Sequence, residues 1–180
     1  MPNERDITIS VCLDEKTFKR FARFDIFILR KRWIKPALFF LVLIMFAAIA
    51  LFSRKPQSGL IAAVLLAVGV GLPLVYIGSF SSQVNMQALK QRLDPPRKVY
   101  TVAMDGLHLT VENNQKQEEL LQVAWKDVRQ AIRVKGCTYV YVSPVKAFLL
   151  PDGQANVPDH DVWEFLTGHL GNGKCQNRRK

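Results

Sequence analysis

Nucleophilic or metal chemistry needs convergent side chains, and the chain offers few to converge: three histidines, His108, His160 and His169, and three cysteines, Cys12, Cys137 and Cys175. His160 and His169 stand nine positions apart, on different faces of any helix, and no H-E-x-x-H pattern occurs. Asp159-His160-Asp161 has the groups of a cation site, but acidic residues at the start of a helix explain it more simply. His169 with Cys175 has the composition of a Cys–His pair, yet Cys175 sits in a polar, glycine-rich tail that fixes no geometry for a nucleophile. Gly69-Val70-Gly71 lies inside an apolar run, and Gly171-Asn172-Gly173 follows a helix rather than opening one, so no phosphate cradle is expected. The expectation is a protein without catalytic residues, metal ligands or cofactors.

What remains is electrostatic. Arg30-Lys31-Arg32 and Lys35 form a basic cluster beside Trp33, at the edge of a long apolar run. Arg30, Lys31, Arg32 and Lys35 are candidate contacts for anionic lipid headgroups, although cations here also set topology. The 180 residues carry a formal net charge of +10, with 25 Lys and Arg against 15 Asp and Glu. The excess sits beside the apolar run and in Arg178-Arg179-Lys180, with no broad basic face interleaved with aromatics. A nucleic-acid partner is therefore not expected.

Two elements would position this cluster. The run 34–52 has one charge, Lys35 at its edge, and the run 59–80 has none. Each is long enough as a helix to cross roughly 30 Å of hydrocarbon. The linker 53–58 between them, with Pro56 ahead of Gly59, forces an antiparallel hairpin. Ala63, Ala67 and Gly71 recur every four residues and are candidate helix-packing positions, within the hairpin or between copies. Pro73 is expected to kink the second helix. Ala48-Ile49-Ala50 resembles a signal-peptide cleavage site, but the preceding segment is too long and a second span follows, so cleavage is not expected. Lysines and arginines flank the outer ends of both runs, whereas the linker holds only Arg54 and Lys55. That bias puts both termini in the cytoplasm of a two-span integral membrane protein. Three cysteines on the reducing side agree.

The flanks change period. Ile7, Ile9, Val11 and Leu13 alternate with polar residues as in a half-buried strand, and Asp14-Glu15 starts a partly amphipathic helix containing Phe18, Phe21 and Asp25. After the second span, 83–93 reads as a helical extension ended by Pro95-Pro96. Six short strands follow: 99–104, 107–112 after the Asp105-Gly106 hairpin turn, 118–125, 128–134, 138–143 and 146–150. A helix from Pro158-Asp159 to Gly171 closes the series, with Val162, Phe165, Leu166 and His169 on one stripe. Trp125, in phase with Leu121 and Val123, is expected in the core.

The fold class expected is therefore α+β: a transmembrane helical hairpin plus a pleckstrin-homology-like antiparallel β-barrel capped by a C-terminal helix. The segments are 1–33, strand and amphipathic helix packing with the C-terminal domain; 34–82, the hairpin; 83–97, extension and linker; 98–172, the β domain; and 173–180, a basic tail.

The Asp105-Gly106-Leu107 hairpin, Val123-Ala124-Trp125-Lys126-Asp127-Val128, Tyr139-Val140-Tyr141-Val142 and Phe148-Leu149-Leu150-Pro151 together resemble the YcxB-like family of bacterial membrane proteins. The N-terminal strand and phenylalanine-rich helix fit too. The resemblance implies two spans, a pleckstrin-homology-like cytoplasmic domain and the bacterial cytoplasmic membrane. It implies no activity. Basic residues common in that family after the proline matched by Pro151 are replaced here by Asp152-Gly153-Gln154. The function expected is a non-enzymatic membrane anchor for a protein-binding or scaffolding domain. The alternatives are an anionic-lipid sensor and a subunit of an oligomeric channel or transporter. Absence of ionisable residues from the middle of either span disfavours transport. Expected partners are membrane lipid, an unidentified protein and, through the small-residue stripe, a second copy.

Overall fold

A computed structural model describes residues 6–53, 56–113 and 120–179. Residues 1–5, Arg54, Lys55, 114–119 (with the first residues of the expected strand 118–125) and Lys180 lie outside the described residues. The chain divides into two compact units, one formed by 1–14 with 93–180 and the other by 15–92.

The first unit is a pair of sheets. β1 (Ile7–Leu13), β2 (Arg97–Met104), β3 (His108–Asn113) and β4 (Leu120–Ala124) form an antiparallel sheet in sequential order. β5 (Gln130–Val134), β6 (Cys137–Tyr141), β7 (Ala147–Pro151) and β8 (Cys175–Asn177) form the second sheet, in the order β7-β6-β5-β8. β1 does pair with β2, from Ile7↔Met104 to Leu13↔Arg97, although 83 residues separate its end from the start of β2. Ile7, Ile9, Val11 and Leu13 are all buried, as the alternation dictates. Helix α4 (Asp159–Leu170) lies over β5 and buries Val162, Leu166 and Leu170.

The expected closed barrel is corrected: the two sheets stay separate. A 3₁₀ turn, Trp125–Asp127, interrupts the chain between β4 and β5, held by Trp125 Nε1 donating to the Asp105 carbonyl at 2.9 Å. The outer edge of β7 is occupied by a side chain instead of a strand. Tyr100 on β2 donates its hydroxyl to the Leu149 carbonyl at 2.9 Å and accepts from the Leu149 N–H at 2.8 Å. The outer edge of β1 is closed in the same manner. Gln154 accepts from the Cys12 N–H at 2.7 Å and donates to the Cys12 carbonyl at 2.9 Å. Asn156 does the same for the Thr8 N–H and the Asp6 carbonyl, beside a single bridge between Ile9 and Ala155. Backbone groups that a barrel would pair with strands are thus satisfied by amides and a phenol. The tail 173–180 is also more than a tail, since β8 pairs in parallel with β5.

The second unit is helical. α1 (Glu15–Arg23) runs into a π-helical segment, Phe24–Leu29; α2 (Ile34–Phe52) and α3 (Ser58–Lys90) follow. Within this unit the amphipathic helix α1 packs on α3. α2 starts without a side-chain cap, and Pro36 fits its first turn because an N–H there has no helical acceptor. α3 runs unbroken through Pro73 for 33 residues, about 50 Å at 1.5 Å per residue. Both α2 and α3 are long and apolar enough to cross a membrane, and their apolar side chains are largely exposed.

Candidate functional site

The basic cluster lies where the π-helical segment turns into α2. Asp25, the one acid among Phe24, Ile26, Phe27, Ile28 and Leu29, is buried. A buried carboxylate requires a partner, and Arg30 supplies it, with Nε 2.7 Å from Asp25 Oδ2. The backbone supports the pair: the Arg30 N–H donates to the Asp25 carbonyl at 2.9 Å, and the Arg32 N–H to Ile26 at 3.0 Å. A hydrogen bond to the residue five back is the mark of the π-helix, and this widened turn brings Asp25 and Arg30 together. Lys31 then takes a left-handed conformation, φ 48°, and redirects the chain into α2. Trp33 Nε1 donates back to the Phe27 carbonyl at 3.1 Å while its ring stays about half exposed.

This geometry divides the four candidate headgroup contacts. Arg30 is turned inward and neutralised. Lys31, Arg32 and Lys35 are exposed, and among the described residues none of the three meets a carboxylate. The other acid of the segment, Glu15, is engaged by Lys19 one helical turn away. Phe27 packs edge-on against Phe80 of α3, with ring centroids 5.7 Å apart, so the π-helical segment lies level with the end of the apolar run 59–80.

Within the hairpin the candidate packing stripe does not make the close approach to α2. Ala63 and Ala67 are exposed, and a Cβ on Gly71 would meet nothing within 4 Å. The close approach of α3 to α2 uses Gly69, where an added Cβ would stand 3.3 Å from Phe40 and 3.5 Å from Leu43. Ala62 on α3 and Ala47 on α2 are buried with it. The hairpin thus selects a different small-residue face.

The groups with catalytic potential are structurally engaged. His169 stacks on Phe165 at 4.2 Å and on Trp125 at 5.2 Å, and its Nδ1 lies 2.9 Å from the Phe165 carbonyl. Cys175 Sγ faces the Leu166 carbonyl at 3.8 Å, and burial pushes its thiol pKa up, away from a thiolate. The Asp105 carboxylate accepts the His108 and Leu107 N–H groups at 2.5 and 2.7 Å, which hold its pKa below the ordinary 3.8. Asp159 receives the Gly153 N–H at 2.7 Å, and His160 is exposed, 3.7 Å from Asp161 and Glu164. Trp125 is buried, as its phase requires. Arg133, which sequence reading passed over, is buried under Trp163 and donates to the Asp159 carbonyl at 3.1 Å. Among the described residues, no three His, Cys, Asp or Glu side chains gather as a metal site.

In comparisons with protein-family models, curated proteins and solved structures, nothing matches this chain.

Proposed function

We propose that the chain is a non-enzymatic integral membrane protein that anchors a binding or scaffolding domain at the membrane face. On this reading α2 and α3 are a transmembrane hairpin with both flanks in the cytoplasm. The two-sheet unit is a pleckstrin-homology-like domain of the YcxB-like kind, in the bacterial cytoplasmic membrane. One observation carries the reading. Leu38, Leu41, Phe46, Leu60, Leu74 and Val75 are each more than half exposed on α2 and α3, whereas the two-sheet unit encloses most of its large apolar side chains and leaves only scattered ones such as Leu107, Leu120 and Val145 exposed. Water penalises such helices by roughly 25 cal/mol for each Å² of apolar surface, and lipid does not.

The protein-binding half of the proposal is tested by placing a photo-crosslinking side chain at Leu107, Leu120 or Val145, exposed apolar positions of the two-sheet unit. Irradiation in native membranes is expected to give one discrete, saturable adduct from at least one position. Diffuse labelling at all three, together with substrate turnover by the purified protein, contradicts it. For topology, a single cysteine at exposed Lys146 is a better reporter than the native thiols, because Cys137 is buried and cannot react wherever it lies. A membrane-impermeant reagent on intact cells is expected to leave it unlabelled. A second reading, an anionic-lipid contact, is favoured by the exposed Lys31, Arg32 and Lys35.

A further inference from the structure

The exposed surface below the basic cluster has the shape of an amphiphile. Ile34, Leu38, Leu41 and Met45 follow one another at helical spacing along α2, and all four are substantially exposed, from 46% to 62%. Lys31, Arg32 and Lys35 stand at the top of that stripe, with the half-exposed Trp33 ring among them. The nearest acid, Asp25, is withdrawn by Arg30, so it does not neutralise the three cations.

We infer that Lys31, Arg32 and Lys35, with Trp33 and the apolar stripe beneath, form a binding site for an anionic diacyl phospholipid. The inference rests on the membrane reading above and deepens its second reading: it adds the diacyl class of the ligand, the Trp33 ring and the apolar stripe of α2. The ammonium and guanidinium groups take the phosphate and its charge, the indole sits at the glycerol level, and the acyl chains lie along Ile34, Leu38 and Leu41. A free phosphate satisfies only the head of this surface, and an acidic protein segment leaves the stripe uncovered. A diacyl anion satisfies both. Arg30 is excluded from the site by its ion pair with Asp25.

Trp33 itself reports occupancy. The full chain is reconstituted into nanodiscs containing either brominated phosphatidylglycerol or brominated phosphatidylcholine at one low mole fraction in unlabelled phosphatidylcholine. Quenching is read against a W33F control, which removes the indole concerned. Brominated phosphatidylglycerol is expected to quench as if enriched at least about threefold around Trp33, with the preference falling as salt rises. K31Q/R32Q/K35Q is expected to abolish the preference. K16Q/R23Q, which removes exposed charge elsewhere in the same unit, is expected to keep it, as is D25N/R30Q, which deletes the internal pair together. Millimolar inorganic phosphate is expected not to displace the lipid.

Equal quenching by the two lipids overturns the site and leaves the membrane reading standing. Loss of preference in K16Q/R23Q assigns the effect to net charge and overturns the site, and displacement by inorganic phosphate overturns the choice of a lipid. Absence of quenching by either lipid overturns the site and the membrane reading together.

Discussion

Leu166 in α4 and Leu74 in α3 are the same residue in the same secondary structure. The first is fully enclosed against the sheet, and the second is 63% exposed. The contrast extends through both units. Val102, Leu109, Val128 and Ile132 have no exposure at all, whereas Phe52 and Leu60 are 87% and 71% exposed. Apolar residues alone therefore say little about where water is. Their period does: alternation by two, or an amphipathic stripe, leaves a polar face for water, and an unbroken run over 20 residues does not. Polar edges are handled in opposite ways as well. The two-sheet unit seals the outer edges of β1 and β7 with Tyr100, Gln154 and Asn156, and α2 and α3 carry no strand edge because their backbone bonds close within each helix.

Substitutions that treat the two units alike break this contrast most sharply. L166A is expected to cost the two-sheet unit about 2–5 kcal/mol, read as loss of its near-ultraviolet tryptophan signal in denaturant. V70R, at an exposed position in the middle of the second apolar run, is expected to cost about 3 kcal/mol of membrane insertion, measured as the inserted fraction in a translocation assay. The same change on a helix surface in water would be nearly neutral, so an unchanged inserted fraction counts against the contrast.

Y100F removes one hydroxyl and leaves both backbone groups of Leu149 unpaired, an expected loss of about 1–3 kcal/mol in denaturant midpoint. It also alters alkaline stability. Burial raises the Tyr100 pKa above its ordinary 10.0, so the stability it lends is whole below pH 10 and is lost as pH rises beyond it. The variant is expected to lack that alkaline limb. G69L is expected to separate α2 from α3 and to cost roughly 1–3 kcal/mol, whereas G71A, with open space at its Cβ, is expected to change helix stability by well under 1 kcal/mol. Equal effects at the two glycines would return the packing face to the stripe through Ala63 and Ala67. Within the two-sheet unit the smallest effect is expected from Q154A, about 1 kcal/mol, because the freed Cys12 backbone groups at an edge are able to reach water.

Sequence pattern carried the element order a long way. The β1 limits, the start of α1, the hairpin at Asp105-Gly106 and α4 are local features, set by alternation, capping chemistry and turn residues. The pairing of β1 with the later strands follows from a different argument, that a lone strand is unstable, although the choice of β2 as its neighbour carries no local signal. Edge closure by Tyr100, Gln154 and Asn156 was not legible, since a tyrosine or an amide carries no periodic signal for the distant backbone it meets. β8 was hidden by a three-residue length and a polar sequence. In the basic cluster the charges were plain, but the inward turn of Arg30 depends on a π-helical repeat that α-helical spacing does not show. One clue was present: a single acid, Asp25, inside an apolar segment needs a cation. For the packing stripe, two small-residue faces compete along α3, and the choice between them depends on Phe40 and Leu43 of α2.

The claim beneath the whole account is that lipid surrounds α2 and the first two-thirds of α3. A spin-label scan along α3, one label per residue over 60–90 in nanodiscs, measures it directly by comparing collisions with oxygen and with a water-soluble nickel chelate. The account predicts oxygen-dominated exposure from 60 to 80, interrupted at Ala62 and Gly69 where α2 covers the helix. It predicts a change to nickel-dominated exposure on the open face beyond Ser82. Nickel access along 60–80, or protection from both reagents on every face, would contradict it.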